Sequence, residues 1–222
     1  MRLITEGLHQ LWGFPPNFVN IYLMGDVLVD AGTKFDRWRI LRQLKGRKVT
    51  AHALTHAHPD HQGSSHAVCK TLGIPLWCGE LDADAAEDSK LIFARMKRHP
   101  LNRYIAPLLH GPGHPVSRRL KQGDEVGGFT VIDTPGHSAG HVSYWRESDR
   151  VLIVGDVIAN MDPLTARRGI FEPPTFFTAD VAKNRESARK LAALRPEILC
   201  FGHGPPLLDG SKFQAFVARL QD

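Results

Sequence analysis

Four potential metal ligands lie close together in the first third of the chain, in the order His56, His58, Asp60 and His61. The run 49–54 before them is apolar and β-branched, which predicts a strand that enters a core. His56 and His58 are two residues apart, so on an extended chain both imidazoles point to the same side. A proline then ends the strand, and Asp60 is predicted to cap a helix over 64–72. A strand end that turns into a helix start directs its ligands to different points, which suits two metal ions better than one.

Three further predicted strands also end in a residue that can bind a metal, next to glycine or proline. His137 follows the strand 129–133, Asp156 follows 151–154, and His203 follows 198–201. Taken alone, a histidine or aspartate at a strand end is most often a turn residue. Because ligands are collected where strands end, four such ends in one chain indicate a shared site.

The pattern His-X-His-X-Asp-His, followed by His137, Asp156 and His203, resembles the signature of the metallo-β-lactamase superfamily of metallohydrolases. The resemblance extends from the strands before residue 30 to Gly202-His203-Gly204-Pro205. It implies an α/β fold, a four-layer αβ/βα sandwich of two mixed β-sheets flanked by helices, formed as a single domain over 1–222. It also implies a first metal site of His56, His58 and His137, a second of Asp60, His61 and His203, and Asp156 as a bridge between them.

The ligand types fit this chemistry. Imidazole and carboxylate suit zinc, manganese or iron, and we expect two divalent metal ions, zinc in the first place with iron or manganese as alternatives. Two ions about 3.5–4 Å apart can share a hydroxide and lower its pKa towards 7, and that hydroxide would attack a carbonyl carbon. Asp60 is the expected catalytic residue, because it could also orient the nucleophile or pass on a proton. His141, four residues after His137, is expected to support the site without binding a metal.

Within the superfamily, the segment Thr-Pro-Gly-His-Ser-Ala-Gly-His-Val-Ser-Tyr at 134–144 is similar to the glyoxalase II-like and lactonase-like group. This favours hydrolysis of a thioester, lactone or related ester of a small molecule. The chain ends 19 residues after His203, so the C-terminal helical segment with which glyoxalase II holds glutathione is not expected. The alternatives are a mono-iron persulfide dioxygenase-like oxidoreductase that uses His56, His58 and His137 alone, a nucleic-acid phosphodiesterase of the same superfamily, and a metal-binding protein without catalysis.

Five residues downstream of Asp156 are predicted to overhang the metals and contact the substrate: Arg167, Arg168, Phe171, Phe176 and Phe177. The phenylalanines would form an apolar wall and the arginines could hold an acidic group, although a packed loop with solvated arginines explains them equally well. The region 80–122 is predicted to be a lid or insertion, with one helix over 81–97 and a loop over 99–115. Residues 160–180 are rich in proline and phenylalanine and are predicted to be irregular.

The net charge is +5, and much of the basic excess lies between residues 95 and 121. A solvated face is the ordinary explanation, and a nucleic-acid partner is not expected because 80–122 is short for a binding arm. No stretch approaches the roughly 20 apolar residues of a membrane span, and no signal peptide precedes the first strand. A cytoplasmic protein without a membrane partner is therefore expected. The three cysteines follow no CxxC spacing and are predicted to be buried free thiols. The sequence does not indicate the oligomeric state.

Overall fold

The computed structural model describes residues 1–221, with the backbone alone at Ser89 and Leu101. Within this part, the first sheet has seven strands in chain order: β1 (Arg2–Thr5), β2 (Leu8–Gln10), β3 (Tyr22–Met24), β4 (Val27–Val29), β5 (Ala51–Ala53), β6 (Leu76–Gly79) and β7 (Val116–Leu120). The predicted hairpin at Gly25-Asp26 joins β3 and β4, with Met24 opposite Val27. From β4 to β7 the strands are parallel, so each connection has to cross back over the sheet.

These crossovers are helical: α1 (Arg37–Leu44), α2 (Pro59–Gln62), α3 (Ser65–Leu72), α4 (Ala83–Glu87), α5 (Ser89–Arg95) and α6 (Pro100–Leu109). Ile40 of α1 and Val68 of α3 pack against Leu28 on the outer face of the sheet. Successive residues of a strand point to opposite faces, so Val27 and Val29 face the other way, into the interior between the sheets.

The second half of the chain contributes β8 (Glu125–Val126), β9 (Phe129–Asp133), β10 (Val142–Arg146), β11 (Val151–Gly155), β12 (Ala159–Met161), β13 (Arg168–Phe171), α7 (Val181–Ala193), β14 (Ile198–Phe201) and α8 (Gly210–Val217). Five of these strands form a sheet in the order β14-β11-β10-β9-β8, parallel between β11 and β14 and antiparallel elsewhere, while β12 and β13 form a separate hairpin. Leu191 of α7 and Phe213 of α8 pack on the outer face of this sheet against Leu152 and Leu199.

The two sheets face each other across one apolar core, and buried hydrogen bonds tie them together at the same edge. The Tyr144 hydroxyl donates to the carbonyl of Leu54 at 2.7 Å, and the Tyr22 hydroxyl donates to the carbonyl of Phe201 at 2.8 Å. Both tyrosines are fully buried, so their hydroxyls need such partners. Helices lie outside each sheet, and the predicted four-layer αβ/βα sandwich is confirmed.

The predictions of one helix over 81–97 and of a loop over 99–115 are wrong. The expected single helix over 81–97 is interrupted at Asp88, whose backbone is extended and whose side chain accepts from the amide of Lys90, so α5 starts anew after α4. The expected loop over 99–115 contains α6. A proline is tolerated in the first turn of a helix, where Pro100 stands, and Pro107 lies in the last turn of α6, which accommodates it despite the missing backbone N–H.

Two smaller predictions are also wrong. Asp60 does not cap a helix, because α2 begins at Pro59 after an extended His58, and Asp60 lies inside its first turn. The segment 160–180 is not wholly irregular, since Met161 pairs with Arg168 in the β12–β13 hairpin. None of the helices in residues 1–221 is long and apolar enough to cross a bilayer. The cytoplasmic location stays a prediction.

Candidate metal centre

The side chains predicted as metal ligands converge where the strands of both sheets end. They form three overlapping groups whose ligand atoms lie within 4.8 Å of one another: His56, His58 and His137; His56, His61 and Asp156; Asp60, His61 and His203. The loop after β5 and the short helix α2 supply the first four residues, and the ends of β9, β11 and β14 supply the other three. Segments distant in sequence are therefore brought together by the packing of two sheets.

Asp156 occupies the centre of this cluster. Its Oδ2 lies 3.2 Å from Nε2 of His203 and 3.4 Å from Nε2 of His61. The same oxygen lies 3.6 Å from Nε2 of His137 and 4.0 Å from Nε2 of His56. One carboxylate oxygen thus faces both ligand groups, which is the position that a bridging ligand needs.

His58 and Asp60 complete the two groups on the side that faces solvent. Nδ1 of His58 is 2.9 Å from Nε2 of His137. Oδ2 of Asp60 lies 3.4 Å from Nε2 of His203 and 3.8 Å from Nε2 of His61. The Asp60 side chain is 26% exposed, so this carboxylate can contact a molecule that enters from solvent.

Hydrogen bonds on the outer side of the rings determine where the imidazole protons lie. Nδ1 of His61 is 2.9 Å from Oδ2 of Asp30, and a carboxylate accepts, so the proton of His61 lies on Nδ1. Nδ1 of His203 likewise donates to the carbonyl of Phe18. Both rings therefore turn Nε2, the nitrogen left to bind a metal, towards the cluster, as metal ligands do.

Two threonines have the same effect on the other group. The Thr55 hydroxyl donates to Asp30 at 2.8 Å, so it accepts from Nδ1 of His56 at 3.0 Å. The Thr178 hydroxyl donates to the carbonyl of Pro174, and it accepts from Nδ1 of His137 at 3.3 Å. Nε2 of His56 remains without a partner and points inward, and Nε2 of His137 points towards Nδ1 of His58.

Buried atoms without a partner show that these residues fit metal ions. Among the residues described, Nε2 of His56, Nε2 of His61 and Oδ1 of Asp156 are buried and lack any hydrogen-bond partner. A buried polar atom left unsatisfied costs about 1–3 kcal/mol, and a bound cation would remove that cost. The donor set of five imidazoles and two carboxylates suits zinc, iron or manganese.

The electrostatics of the cluster agree with this fit. Burial lowers the pKa of His56 and of His137 well below the ordinary value, so both rings are neutral and can ligate. Burial also acts to lower the pKa of His203, but Asp156 and Asp60 outweigh it and raise that pKa to about 10. Burial acts to raise the pKa of Asp156, yet His203 and His61 hold it well below its usual range. The carboxylates are therefore anionic, and cations would compete with protons on part of the cluster.

Two buried aspartates that the sequence reading did not select hold the ligand loops in place. Asp30 accepts the backbone amide and the hydroxyl of Thr55, both at 2.8 Å, in addition to His61. Asp82 accepts the amide of Ala57 at 3.1 Å, the hydroxyl of Ser138 at 2.5 Å and the amide of Gly140 at 2.8 Å. Asp30 directly follows β4, as the strand-end ligands follow their own strands, so its place in the sequence could have predicted a role at this site. No sequence pattern marks Asp82.

His141 contacts the site without joining it. Its Nε2 accepts the backbone amide of Asp156 at 3.0 Å, and its Nδ1 donates to the Thr134 hydroxyl at 2.8 Å. Gly155 makes this approach possible, because its φ is +62° and a Cβ there would lie 2.5 Å from the His141 ring. Both ring nitrogens are thus engaged away from the other imidazoles, in line with the supporting role expected for His141.

A cleft opens onto His58, Asp60 and His203, with an empty volume of about 590 Å³ that includes the open solvent at its mouth. Its walls are apolar and come from α5–α6 and from the loop after β13: Met96, Ile105, Leu109, Pro173, Pro174 and Phe177.

Of the five residues predicted to contact substrate, the structure places only Phe177 in the wall of this cleft. Phe176 stacks on His99 with ring centroids 4.3 Å apart. The Arg167 guanidinium lies over the Phe171 ring at 5.3 Å, and Arg168 is exposed on β13.

A sandwich of two sheets between helices, with histidines and aspartates gathered at its strand ends, defines a class of metal-binding proteins. The family model described as the metallo-beta-lactamase superfamily matches residues 14–203. The chain belongs to the metallo-beta-lactamase superfamily.

Individual relatives agree with this assignment. The probable metallo-hydrolase YflN of Bacillus subtilis (strain 168) is 27% identical, over 97% of this chain and 90% of its own. The hydroxyacylglutathione hydrolase of Bdellovibrio bacteriovorus is 29% identical over 79% of this chain but 56% of its own. The solved structure of TTHA1623 in a di-iron-bound form superimposes with a TM-score of 0.64 and 27% identity, covering 96% of this chain and 91% of that one. The resemblance inferred from the ligand pattern is therefore confirmed.

Proposed function

We propose that this protein is a metal-dependent hydrolase of a small molecule, and that it cleaves a thioester, lactone or related ester with an apolar acyl group. The observation that carries the proposal is the orientation of the cluster. Four imidazoles, those of His56, His61, His137 and His203, have their outer nitrogens engaged as donors and their inner nitrogens directed at one place. That place opens onto an apolar cleft.

Two divalent ions suit this cluster better than one. His56, His58 and His137 would hold the first ion, and Asp60, His61 and His203 the second, with Asp156 facing both. When bound, such ions activate water at neutral pH and polarise a carbonyl oxygen. Zinc is the expected metal, and the di-iron form of TTHA1623 supports iron as an alternative. The imidazoles of the second group, His61 and His203, are held by hydrogen bonds on their outer nitrogens, as His56 and His137 of the first group are. This disfavours the mono-iron dioxygenase-like alternative, which uses the first group alone.

Asp60 is the residue of this chain that we propose to orient the attacking water. Burial acts to raise its pKa, but His61 and His203 lower that pKa far below the ordinary value, so the carboxylate is anionic at neutral pH. Asp60 also lines the cleft. As an anion it can accept a hydrogen bond from an attacking water and so orient it.

The cleft walls favour an apolar acyl group. Met96, Ile105 and Leu109 stand on one side, and Pro173 and Phe177 on the other. The proposed acyl group would lie between these walls with its carbonyl at the ligands. Contacts from Arg167, Arg168, Phe171 and Phe176 stay predictions.

The lid that we expected over 80–122 also stays a proposal, with a more definite form. Helices α5 and α6 supply Met96, Ile105 and Leu109 to one wall, so this insertion between β6 and β7 would shape the substrate site.

The relatives support hydrolysis, since the names of YflN and of the Bdellovibrio protein both describe hydrolases. The match covers only 56% of the Bdellovibrio protein, so its glutathione substrate is not carried over.

Nucleic acid is disfavoured as a substrate because the basic residues near β7 are paired on the surface. Arg119 lies 2.5 Å from Asp84, and Lys121 lies 2.9 Å from Glu80. These pairs contribute little stability, but they reduce the positive potential that a phosphate backbone needs.

Metal analysis of the purified protein, followed by a screen of thioesters, lactones and phosphodiesters, tests the proposal. We expect esters to be hydrolysed, and we expect His58→Ala to abolish hydrolysis and lower the metal content. His9→Ala is the matched control, because His9 lies on β2 outside the cluster and should leave both unchanged. Full turnover by His58→Ala on the same substrate would refute the mechanism.

A further inference from the structure

Four exposed aromatic side chains lie on α1, just before it, and on the loop between β2 and β3 that contacts this helix. Trp12 is 61% exposed, Phe14 87%, Phe35 70% and Trp38 70%. The Gln43 side chain, on α1, bonds both the amide of Trp12 at 2.8 Å and its carbonyl at 3.0 Å, so the loop is fixed against the helix. Single exposed apolar residues are ordinary in proteins, but a group of large ones marks an interaction surface.

The same surface carries a concentration of positive charge. Residues 34–48 contain seven Lys or Arg and one acidic residue, a net charge of +6 against +5 for the whole chain. The Arg37 guanidinium lies 5.1 Å from the centre of the Trp38 ring, so cations and aromatics alternate on one surface. We call Trp12, Phe14, Phe35, Trp38, Arg37, Arg42 and Lys45 the aromatic–basic face.

The cations of this face differ from those near β7. Within the described residues, Arg37, Arg42 and Lys45 have no carboxylate within ion-pair distance, whereas Arg119 and Lys121 do. Their charge is therefore available to an anionic partner.

Contacts at both ends of the face connect it to the rim of the cleft. The amide of Lys34, next to Phe35, donates to the carbonyl of Leu109 at 2.8 Å, and Leu109 lines the cleft. The loop that carries Phe14 continues to Phe18, whose carbonyl accepts from the ring of His203. A surface that seats on this face would therefore lie beside the cleft.

We propose that the aromatic–basic face docks the protein on an anionic lipid bilayer. Tryptophan and phenylalanine side chains surrounded by Lys and Arg match the interface of such a membrane, where the rings enter the headgroup region and the cations meet lipid phosphates. The proposal concerns peripheral binding, and it departs from the expectation, drawn from the lack of a membrane span, of a protein without a membrane partner. It goes beyond the proposed hydrolysis and does not depend on it.

Charge and exposure argue against the other occupants of this face. A symmetric contact with a second copy would bring two faces of the same positive charge together, and like charges repel. Single-stranded nucleic acid also stacks on aromatic rings, in charged grooves that track its backbone. Here the rings project from a loop and a helix with 61–87% of their surface in water.

Co-sedimentation of the full chain with vesicles tests the proposal. We expect binding to vesicles of equimolar phosphatidylglycerol and phosphatidylcholine, and little to phosphatidylcholine alone. Each cation near an anionic surface strengthens binding roughly fivefold, so Arg37→Gln with Arg42→Gln should weaken it roughly thirtyfold. Phe35→Ser with Trp38→Ser should weaken it further. Binding should also fall in about 1 M salt, where the Debye length is about 3 Å.

The matched control is Leu208→Ser with Arg219→Glu, which changes one exposed apolar residue and one exposed cation beside α8, on the opposite outer layer. It should bind like the original chain, and thermal unfolding should show that all variants are folded. Equal binding of all variants would overturn the proposal. So would a stable dimer that Phe35→Ser with Trp38→Ser dissociates, or binding to single-stranded oligonucleotides with no binding to vesicles. Because neither metal nor substrate is needed, a failure here is distinct from a failure of the proposed hydrolysis.

Discussion

Asp82 offers a direct test of how the ligand loops are held. This buried carboxylate lies just before α4 and joins the loop of His58, through the amide of Ala57, to the loop of His137, through Ser138 and Gly140. In Asp82→Asn one carboxylate oxygen remains and the other is replaced by an NH2 group. That NH2 group faces a hydrogen-bond donor that bonded the lost oxygen, so two donors meet. One charged hydrogen bond, worth about 1.5–3 kcal/mol, is lost, and the others weaken. We expect the free energy of unfolding to fall by about 2–4 kcal/mol.

The same substitution should weaken metal binding at the group of His56, His58 and His137. Partners that hold metal ligands in place typically contribute roughly 10–100-fold to affinity. Chemical denaturation of the metal-free protein measures the stability, and competition with a chelator measures the affinity.

Asp149→Asn provides the comparison. Asp149 accepts from Arg146 at 2.7 Å and from Thr5 at 3.1 Å, at the far end of the β10–β11 hairpin. Its loss should lower stability while leaving metal affinity unchanged. If Asp82→Asn matched the original chain in both measurements, the reasoning that Asp82 positions the ligand loops would be refuted.

Three further predictions follow from buried groups and from the cleft. Burial lowers the pKa of His52 to about 4, so its contribution to stability is lost as pH falls from 6.5 to 4. That contribution is at most about 3 kcal/mol, and denaturation at several pH values should show a flatter acid limb in His52→Asn. Burial raises the pKa of Cys69 and of Cys200 to about 12, so a thiol reagent at pH 8 should label them only after unfolding. Equally fast labelling of the folded protein would contradict this. In the cleft, Leu109→Ser should raise KM roughly tenfold for a hexanoyl ester and little for an acetyl ester. Equal changes for the two esters would count against an apolar acyl pocket.

The ligand residues could be selected from sequence because each follows a strong local pattern. His137, Asp156 and His203 stand directly after apolar strands and beside glycine or proline, and strand ends are where a sheet presents side chains. The approach of these strands to one another could not be derived from the pattern itself. It came from the family resemblance, which the fold confirms.

The predictions failed where a single side chain decides the local structure. Asp88 interrupts what its flanking sequence favours as one helix, by capping α5 with its own carboxylate. The prolines of 99–115 favoured a loop, although Pro100 stands in a helical first turn, where proline is tolerated, and Pro107 is accommodated in the last turn of α6. Composition cannot distinguish these positions, because the difference lies in the register of the helix.

The substrate contacts and the supporting carboxylates were less accessible to sequence. Phe176 and Phe177 are adjacent, yet one stacks on His99 and the other lines the cleft. Asp82 acts on residues 56 positions away, at Ser138, and nothing near it in the chain predicts that contact. Such roles depend on tertiary proximity between loops.

The two tyrosine hydroxyls that bridge the sheets bear on how far apart a pair of cations would sit. Tyr144 anchors Leu54, two residues before His56, and Tyr22 anchors Phe201, two residues before His203. If one sheet slipped over the other by a single residue, about 3.3 Å, ligands now within 4.0 Å across the sheets would separate beyond the reach of a shared cation. The distance between the two cations is thus set by the register of one sheet over the other. The loops around the cleft can differ in sequence without changing that distance.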